Sequence, residues 1–290
     1  MRPSISLAIP AITAAALLLV PACVFAADGT FDKTLNVNGN VFLEISTGSG
    51  YIHVTPGSDN QVHIIGHVKS SGNWSLFGSS RSAEDRVNEV VGHPPIDQTG
   101  NIIRVGKESH SLNNVSIDYD VTAPRGTALS ANSGSGDLRI TDVGKNVKFS
   151  TGSGNIEAHG ISGTLSLETG SGNITASQSG SGDVKAGTGS GDIHLQNIDG
   201  GLKAETGSGS IEVSGKPSSG WKVGTGSGDV TLSTGNAAFN LDASSGSGDI
   251  RADVSLAAEG SPNRHHVTGK VNGGGPVVRV ETGSGSIHIH

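Results

Sequence analysis

Six acidic or amide side chains stand at one recurring place in this chain. Asp137, Asn155, Asn173, Asp192, Asp229 and Asp249 each directly follow a Gly-Ser-Gly tripeptide. Carboxylates returning at a fixed interval raise a calcium reading, because calcium β-rolls repeat Gly-Gly-x-Gly-x-Asp and collect carboxylates from both turns. Two features oppose it. The acid here comes immediately after the second glycine, which changes its direction. Other copies carry Tyr51, Ser210 or Ser286 at the same place and two carry neutral asparagine, so a hard cation would lack ligand charge. The reading taken is a side chain that hydrogen-bonds backbone where each strand begins.

The chain has 11 histidines. His288 and His290 share a strand face and His265-His266 sit in an irregular stretch. There is no cysteine partner and no helical i,i+4 pair, so no metal site and no cofactor is expected. Glycan cleavage needs two carboxylates about 5–9.5 Å apart. Glu157 and Glu212 fall in one outward row, but Thr175 and His194 stand between them, and Asp118 and Asp120 precede the repeats with no visible partner. No catalytic residue is assigned. The one aromatic cluster, Asn73-Trp74-Ser75-Leu76-Phe77, lies in a Ser/Gly-rich segment. Trp74, Leu76 and Phe77 are the candidates for contact with a partner or glycan; the competing role is a plug over the end of the fold.

The elements that must position these residues are repeats. Gly-Ser-Gly copies start at Gly48, Gly134, Gly152, Gly170, Gly189, Gly207, Gly226, Gly246 and Gly283, and from Gly134 to Gly246 the intervals are 18, 18, 19, 18, 19 and 20 residues. Before each motif come two inward positions and then Thr or Ser, as in Leu165, Leu167 and Thr169. After it come two more, as in Ile193 and Leu195. Both flanks alternate with period two, the pattern of a half-buried strand. One repeat is therefore strand, Gly-Ser-Gly turn, strand, second turn. That is one coil of an all-β, single-chain β-solenoid with two short strands per coil of about 18 residues. A single coil cannot bury a core, but stacked coils share a thin continuous one. About nine or ten coils rising roughly 4.7–4.9 Å each give a rod on the order of 45 Å. The motif serines are expected to form one hydroxyl ladder and the Thr before each motif a second. The outward row after the motif mixes His53, Arg139, Glu157, Thr175, His194, Glu212, Thr231, Arg251 and His288. It reads as a solvated face with a few cross-coil ion pairs.

Three segments are read in the chain. Residues 1–26 form a signal peptide: Arg2, then an apolar stretch from Leu7 to Val20, then Val24-Phe25-Ala26 as a small-x-small cleavage site. Residues 27–128 hold N-terminal strands and a capping insert with one short helix at Ser82–Val91, stopped by Gly92 and Pro94-Pro95. Residues 129–290 are the regular repeats, with 253–276 as a coil that has lost its motif. Removing the leader takes away one cation, so the formal charge goes from −7 to −8. An acidic chain without a basic cluster argues against nucleic acid. The only cysteine, Cys23, lies in the leader. Val20-Pro21-Ala22-Cys23 departs from a lipoprotein box by its Pro and Val, so cleavage after Ala26 is the reading, with lipidation at Cys23 as the alternative. No other segment approaches the roughly 20 apolar residues of a spanning helix.

The segment Ser116-Ile117-Asp118-Tyr119-Asp120-Val121-Thr122-Ala123-Pro124-Arg125-Gly126, followed by Ser133-Gly134-Ser135-Gly136-Asp137-Leu138, resembles the entry to the bacterial putative-adhesin family of β-strand repeats, a domain of unknown function. The repeated Thr-Gly-Ser-Gly-Asp-Ile and the late Val271-Asn272-Gly273-Gly274-Gly275-Pro276 are similar to it as well. The resemblance covers roughly residues 35–290. It implies an exported β-solenoid and carries over no catalytic residue. The functional expectation is a non-enzymatic, adhesin-like scaffold of the cell surface or envelope: periplasmic, surface-bound or extracellular. Its repetitive face would meet an envelope protein or glycan. The alternatives are a polysaccharide-active β-helix enzyme and an envelope sensor or assembly subunit.

Overall fold

The computed structural model describes residues 27–70, 82–106, 115–258 and 263–290. The leader with Cys23 and the trio Trp74, Leu76 and Phe77 lie outside the described residues. Ahead of the repeats run β1 (Ala27–Asn36), β2 (Phe42–Thr47), β3 (Ile52–Pro56), β4 (Gln61–Ser70), the helix α1 (Ala83–Gly92), β5 (Ile96–Thr99), β6 (Ile102–Val105) and β7 (Val115–Ala123). The repeats supply β8 (Ala128–Ser133), β9 (Leu138–Thr141), β10 (Asn146–Thr151), β11 (Ile156–Ile161), β12 (Thr164–Thr169), β13 (Ile174–Gln178), β14 (Val184–Thr188), β15 (Ile193–Asp199), β16 (Leu202–Ser208), β17 (Ile211–Lys216), β18 (Trp221–Ser227) and β19 (Val230–Ser233). The C-terminal part adds β20 (Phe239–Ser245), β21 (Ile250–Ala252), β22 (Leu256–Ala258), β23 (His266–Val271), β24 (Val277–Ser284) and β25 (Ile287–Ile289).

Strands before the motif join one 13-stranded sheet, and strands after it join a 12-stranded sheet. The expected all-β solenoid, with two short strands per coil and a small N-terminal α+β cap, is the fold. Setting aside the antiparallel β5, β22 and β23 in one sheet and β1 and β4 in the other leaves ten parallel rungs in each. The register keeps like over like: Ile174 pairs with Ile193, Ile193 with Ile211, Leu165 with Val184 and Val184 with Leu202. Alternating side chains of both sheets meet in one core, where Leu167, Ala204, Val213, Val223 and Leu232 are fully buried. That shared core is what lets coils with so few apolar atoms stay ordered.

The motif glycines are required by coil-to-coil contact. A Cβ at Gly172 would overlap the Gly154 carbonyl, and one at Gly191 would overlap that of Gly172. The residue ahead of the motif forms a buried hydroxyl ladder. Thr151, Thr169, Thr188, Thr206 and Thr225 are buried and donate to the carbonyls of Gly136, Gly154, Gly172, Gly191 and Gly209 at 2.8–3.0 Å. The motif serines stack in register as expected where the strands extend that far, Ser208 beside Ser227 and Ser227 beside Ser284, and they are exposed.

Both ends are finished with antiparallel strands. At the N-terminal end β4 and β1 extend the 12-stranded sheet beyond β7, and α1 lies over them. Its N-terminus is closed by Ser82, whose hydroxyl accepts from the Asp85 N–H at 3.0 Å while the Asp85 carboxylate accepts from the Ser82 N–H. Val87 and Val90 are buried, and a side chain at Gly29 would strike Val87 and Val91. Phe31 covers Gly66 and meets Tyr119 edge-on, ring centroids 6.4 Å apart. Phe31 is thus an aromatic plug of the core at this end.

The C-terminal end departs from stacking in chain order. β24 lies between β18 and β20, and β25 between β19 and β21. After β19 the chain steps past one coil position to build β20 and β21, doubles back through β22 and β23, then fills the skipped position with its last strands. Residues 253–276 are therefore not a coil that lost its motif. They contain an antiparallel hairpin, β22–β23, that closes the 13-stranded sheet.

Candidate functional site

The residue after the motif is a structural ladder. The Asn155 N–H donates to Asp137 Oδ1 at 2.7 Å, the Asn173 N–H to Asn155 Oδ1 at 2.9 Å, the Asp192 N–H to Asn173 Oδ1 at 2.9 Å and the Ser210 N–H to Asp192 Oδ1 at 2.8 Å. Each side chain accepts from its own position in the next coil, a bond between coils where a bond within the turn was expected. An amide oxygen accepts as well as a carboxylate, which is why Asn and Asp interchange here. Among the described residues no three His, Cys, Asp or Glu side chains gather as metal ligands.

Asp118 and Asp120, read as lacking partners, have several. Asp118 accepts from Lys69 Nζ at 2.8 Å and from the Tyr51 N–H at 3.0 Å. Asp120 Oδ2 accepts from the Tyr51 hydroxyl at 2.9 Å and lies 3.2 Å from His67 Nε2, while its Oδ1 lies 3.4 Å from His53 Nδ1. Tyr51 precedes β3, His67 and Lys69 are on β4, and both acids are on β7. The antiparallel return of β4 beside β7 makes the cluster, and no interval in the sequence signals that return. Both carboxylates are committed to neighbouring side chains, so the cluster ties β3, β7 and β4 together.

The outward row of the 12-stranded sheet pairs across coils, with Arg139 Nη2 2.7 Å from Glu157 and His194 Nδ1 3.1 Å from Glu212. A second outward row lies on the opposite face, four residues before the motif, and in six of the nine copies it is continuous between Glu44 and Ser130 at one end and Asp242 at the other. It reads Lys148, Ser166, Lys185, Lys203, Lys222 and Arg279, which are register partners in succession. Beside it, two residues before each motif, run Ser150, Glu168, Gly187, Glu205, Gly224 and Glu281. Reading the sequence only after the motif missed both rows; the same alignment applied before the motif exposes them.

Four cations on adjacent rungs would repel one another. The glutamates offset this. Lys185 pairs with Glu168, and Glu205 takes Lys222 at 2.9 Å and Lys203 at 3.0 Å. Arg279 Nε lies 3.1 Å from Asp242. Hydrogen bonds from Lys222 and Lys203 hold the Glu205 carboxyl below its usual range, and the hydrogen bond from Lys185 does the same for Glu168. Their partners Lys185 and Lys222 are shifted upward by the same bonds. Exposed pairs of this kind contribute little stability. They fix a charge pattern on a rigid sheet.

Between the glutamates the face is bare. A Cβ at Gly187 would come no nearer than 4.0 Å to another atom, and one at Gly224 no nearer than 3.8 Å. Unlike the motif glycines, these two answer no steric demand of the stack, and glycine inside a strand weakens it. Around Gly224 lies a shallow depression of about 500 Å³ bordered by Glu205, Lys222, Ser244 and Glu281. Glu, Gly, Glu, Gly, Glu thus alternate along the rod beside an unbroken line of cations from Lys185 to Arg279.

Parallel coils in two facing sheets, turning on Gly-Ser-Gly, define a β-solenoid. The chain belongs to the Toastrack DUF4097 family, whose model matches residues 42–290. Solved structures are similar to this chain at low identity. A putative adhesin from Parabacteroides distasonis is 12% identical, with 90% of this chain and 97% of that one covered and a TM-score of 0.44. A putative adhesin from Bacteroides fragilis is 11% identical over 90% and 97%, with a TM-score of 0.38. A putative cell adhesion protein from Clostridium sporogenes is 14% identical over 91% and 99%, with a TM-score of 0.28. No curated protein matches the chain. Among the described residues no helix is long and apolar enough to cross a membrane.

Proposed function

We propose that this protein is an exported, non-enzymatic scaffold that presents the outer face of its 13-stranded sheet to a polymer of the cell envelope, in the manner of an adhesin. The observation that carries this reading is the paired rows on that face: cations from Lys185 to Arg279 beside glutamates that alternate with bare Gly187 and Gly224. A rigid repeating face suits a repeating ligand, because each coil adds a similar weak contact and the contacts sum. Export is supported by the leader-like residues 1–26. Glycan or envelope protein is the partner class, and Trp74, Leu76 and Phe77 remain proposed contact residues.

The test is co-sedimentation with purified envelope fragments and with soluble envelope glycans. Lys203→Glu with Lys222→Glu is expected to lower retention at least tenfold, and Thr231→Glu on the opposite sheet is expected to leave it unchanged. Equal retention by both variants would remove this face from the reading. Shortened glycan products after incubation would replace the scaffold with the enzyme alternative.

A further inference from the structure

The skipped coil makes the stack unlike a simple solenoid. The position between β18–β19 and β20–β21 is bounded on both sides by strands that precede it in the chain, and the last strands fill it. Until β24 and β25 arrive, the edges of four strands face an empty rung. Unpaired strand edges are templates for another strand of matching register. We propose that this gap is a strand-acceptor site, and that its second occupant, besides the chain's own C-terminus, is the β24–β25 coil of another copy of this protein, so that molecules link by exchange of residues 277–290.

Two features support that occupant. The segment pairs on both sides in the register of every other coil: Val278 lies opposite Trp221 and Leu241, Val280 opposite Val223 and Ala243, and Ile287 opposite Val230 and Ile250. A copy brought by a second molecule makes the same bonds. The segment is also joined to β23 by a turn that works as a hinge: Asn272, Gly273 and Gly274 have φ of 49°, 95° and 88°, and five residues, 272–276, reach roughly 17 Å when extended. Asn240 Nδ2 holds the closed form by donating to the Gly275 carbonyl at 2.8 Å, and Asn272 Nδ2 donates to the Ala237 carbonyl at 3.1 Å. Exchange of an identical element costs little once the hinge opens, since almost every native contact is re-formed. Reciprocal exchange gives a closed pair of rods; one-way exchange leaves a free gap and a free donor, and runs on into a chain of rods.

The test uses the full chain with Cys23→Ser. Lys222 and Arg279 are register partners across the gap wall, and neighbouring strands place such partners at a separation a disulfide accepts. The variant Lys222→Cys with Arg279→Cys is refolded at low and at high protein concentration, oxidised and run on a non-reducing gel. The expected result is an internal disulfide at low concentration and a covalent dimer whose share rises at least tenfold at high concentration. An internal disulfide at every concentration overturns the proposal, and so does an equal dimer yield from either single substitution. A second measurement needs no cysteine: two differently tagged wild-type copies are refolded together or mixed after refolding. Mixed species are expected from joint refolding only; their absence from joint refolding, or equal amounts in both arms, overturns the proposal.

Discussion

The hydroxyl of Thr206 donates a 2.9 Å hydrogen bond to the carbonyl of Gly191 in the neighbouring coil. Thr206 is 6% exposed, so this bond is made away from water. It joins a residue near the end of β16 to the turn of the adjacent rung, and the same bond recurs along the rod. Thr206→Val keeps the shape and removes the donor. The unsatisfied carbonyl should cost about 1–3 kcal/mol. Urea denaturation should show a lower midpoint for this variant, with Ser208→Ala, on the exposed motif serine, within about 0.5 kcal/mol of the parent.

Two glycines four residues apart should answer oppositely to the same change. Gly191→Ala places a methyl group against the Gly172 carbonyl, and backbone cannot yield without parting the coils. Gly187→Ala meets open space. The first should lower the melting temperature by several degrees or prevent folding. The second should leave it unchanged or raise it, since alanine in place of glycine in regular structure is worth roughly 0.5–1 kcal/mol. Thermal melts of the two variants side by side decide this.

The in-and-out pattern gives a third contrast. Ile193 is 1% exposed and stacks between Ile174 and Ile211. Ile193→Asp buries an unpaired charge, at a cost of several kcal/mol. In a stack where each coil touches only its neighbours, loss should begin in the adjacent coils. Hydrogen exchange should show protection falling first around Ile174 and Ile211. His194→Asp replaces an outward side chain that lies 3.1 Å from Glu212, so it sets like charges together at the surface and should cost well under 1 kcal/mol.

These contrasts also mark what the residues alone could say. Ile193 inward and His194 outward follow from period-two alternation, and the glycine turns follow from the repeat interval, because both are local. The neighbour of each coil is not local. Trp221 can pair with Val278 or Leu241 equally well by residue type, since every repeat presents the same apolar pair, so the alternation carries no instruction to leave a rung empty. The connection 234–238 and the hinge Asn272–Pro276 execute that step, and they look like ordinary turns. The Asp118–Asp120 cluster was hidden for the same reason. Its partners Lys69 and His67 arrive on an antiparallel strand, and antiparallel return has no signature in a parallel repeat. The Lys and Glu rows were present in the sequence at a fixed offset and needed only to be aligned on the other side of the motif.

The last prediction concerns Tyr51, one of two tyrosines in the chain. Partial burial, then the hydrogen bond to Asp120 and the charges of Asp120 and Asp118, push its hydroxyl up to about 12. Burial drives Tyr119 upward as well. The folded protein should therefore show no tyrosinate absorbance step near the ordinary value of 10.0. A raised folded value means that the neutral hydroxyl is favoured by the fold. The stability it contributes is complete below pH 10 and is lost as pH rises toward about 12. Asp120→Asn removes the anionic acceptor but leaves the burial, so the step should move down while staying above 10.0. A spectrophotometric titration of both proteins measures this. A step at 10 in the parent, or no movement in the variant, would separate Tyr51 from Asp120 and with it the tie between β3 and β7.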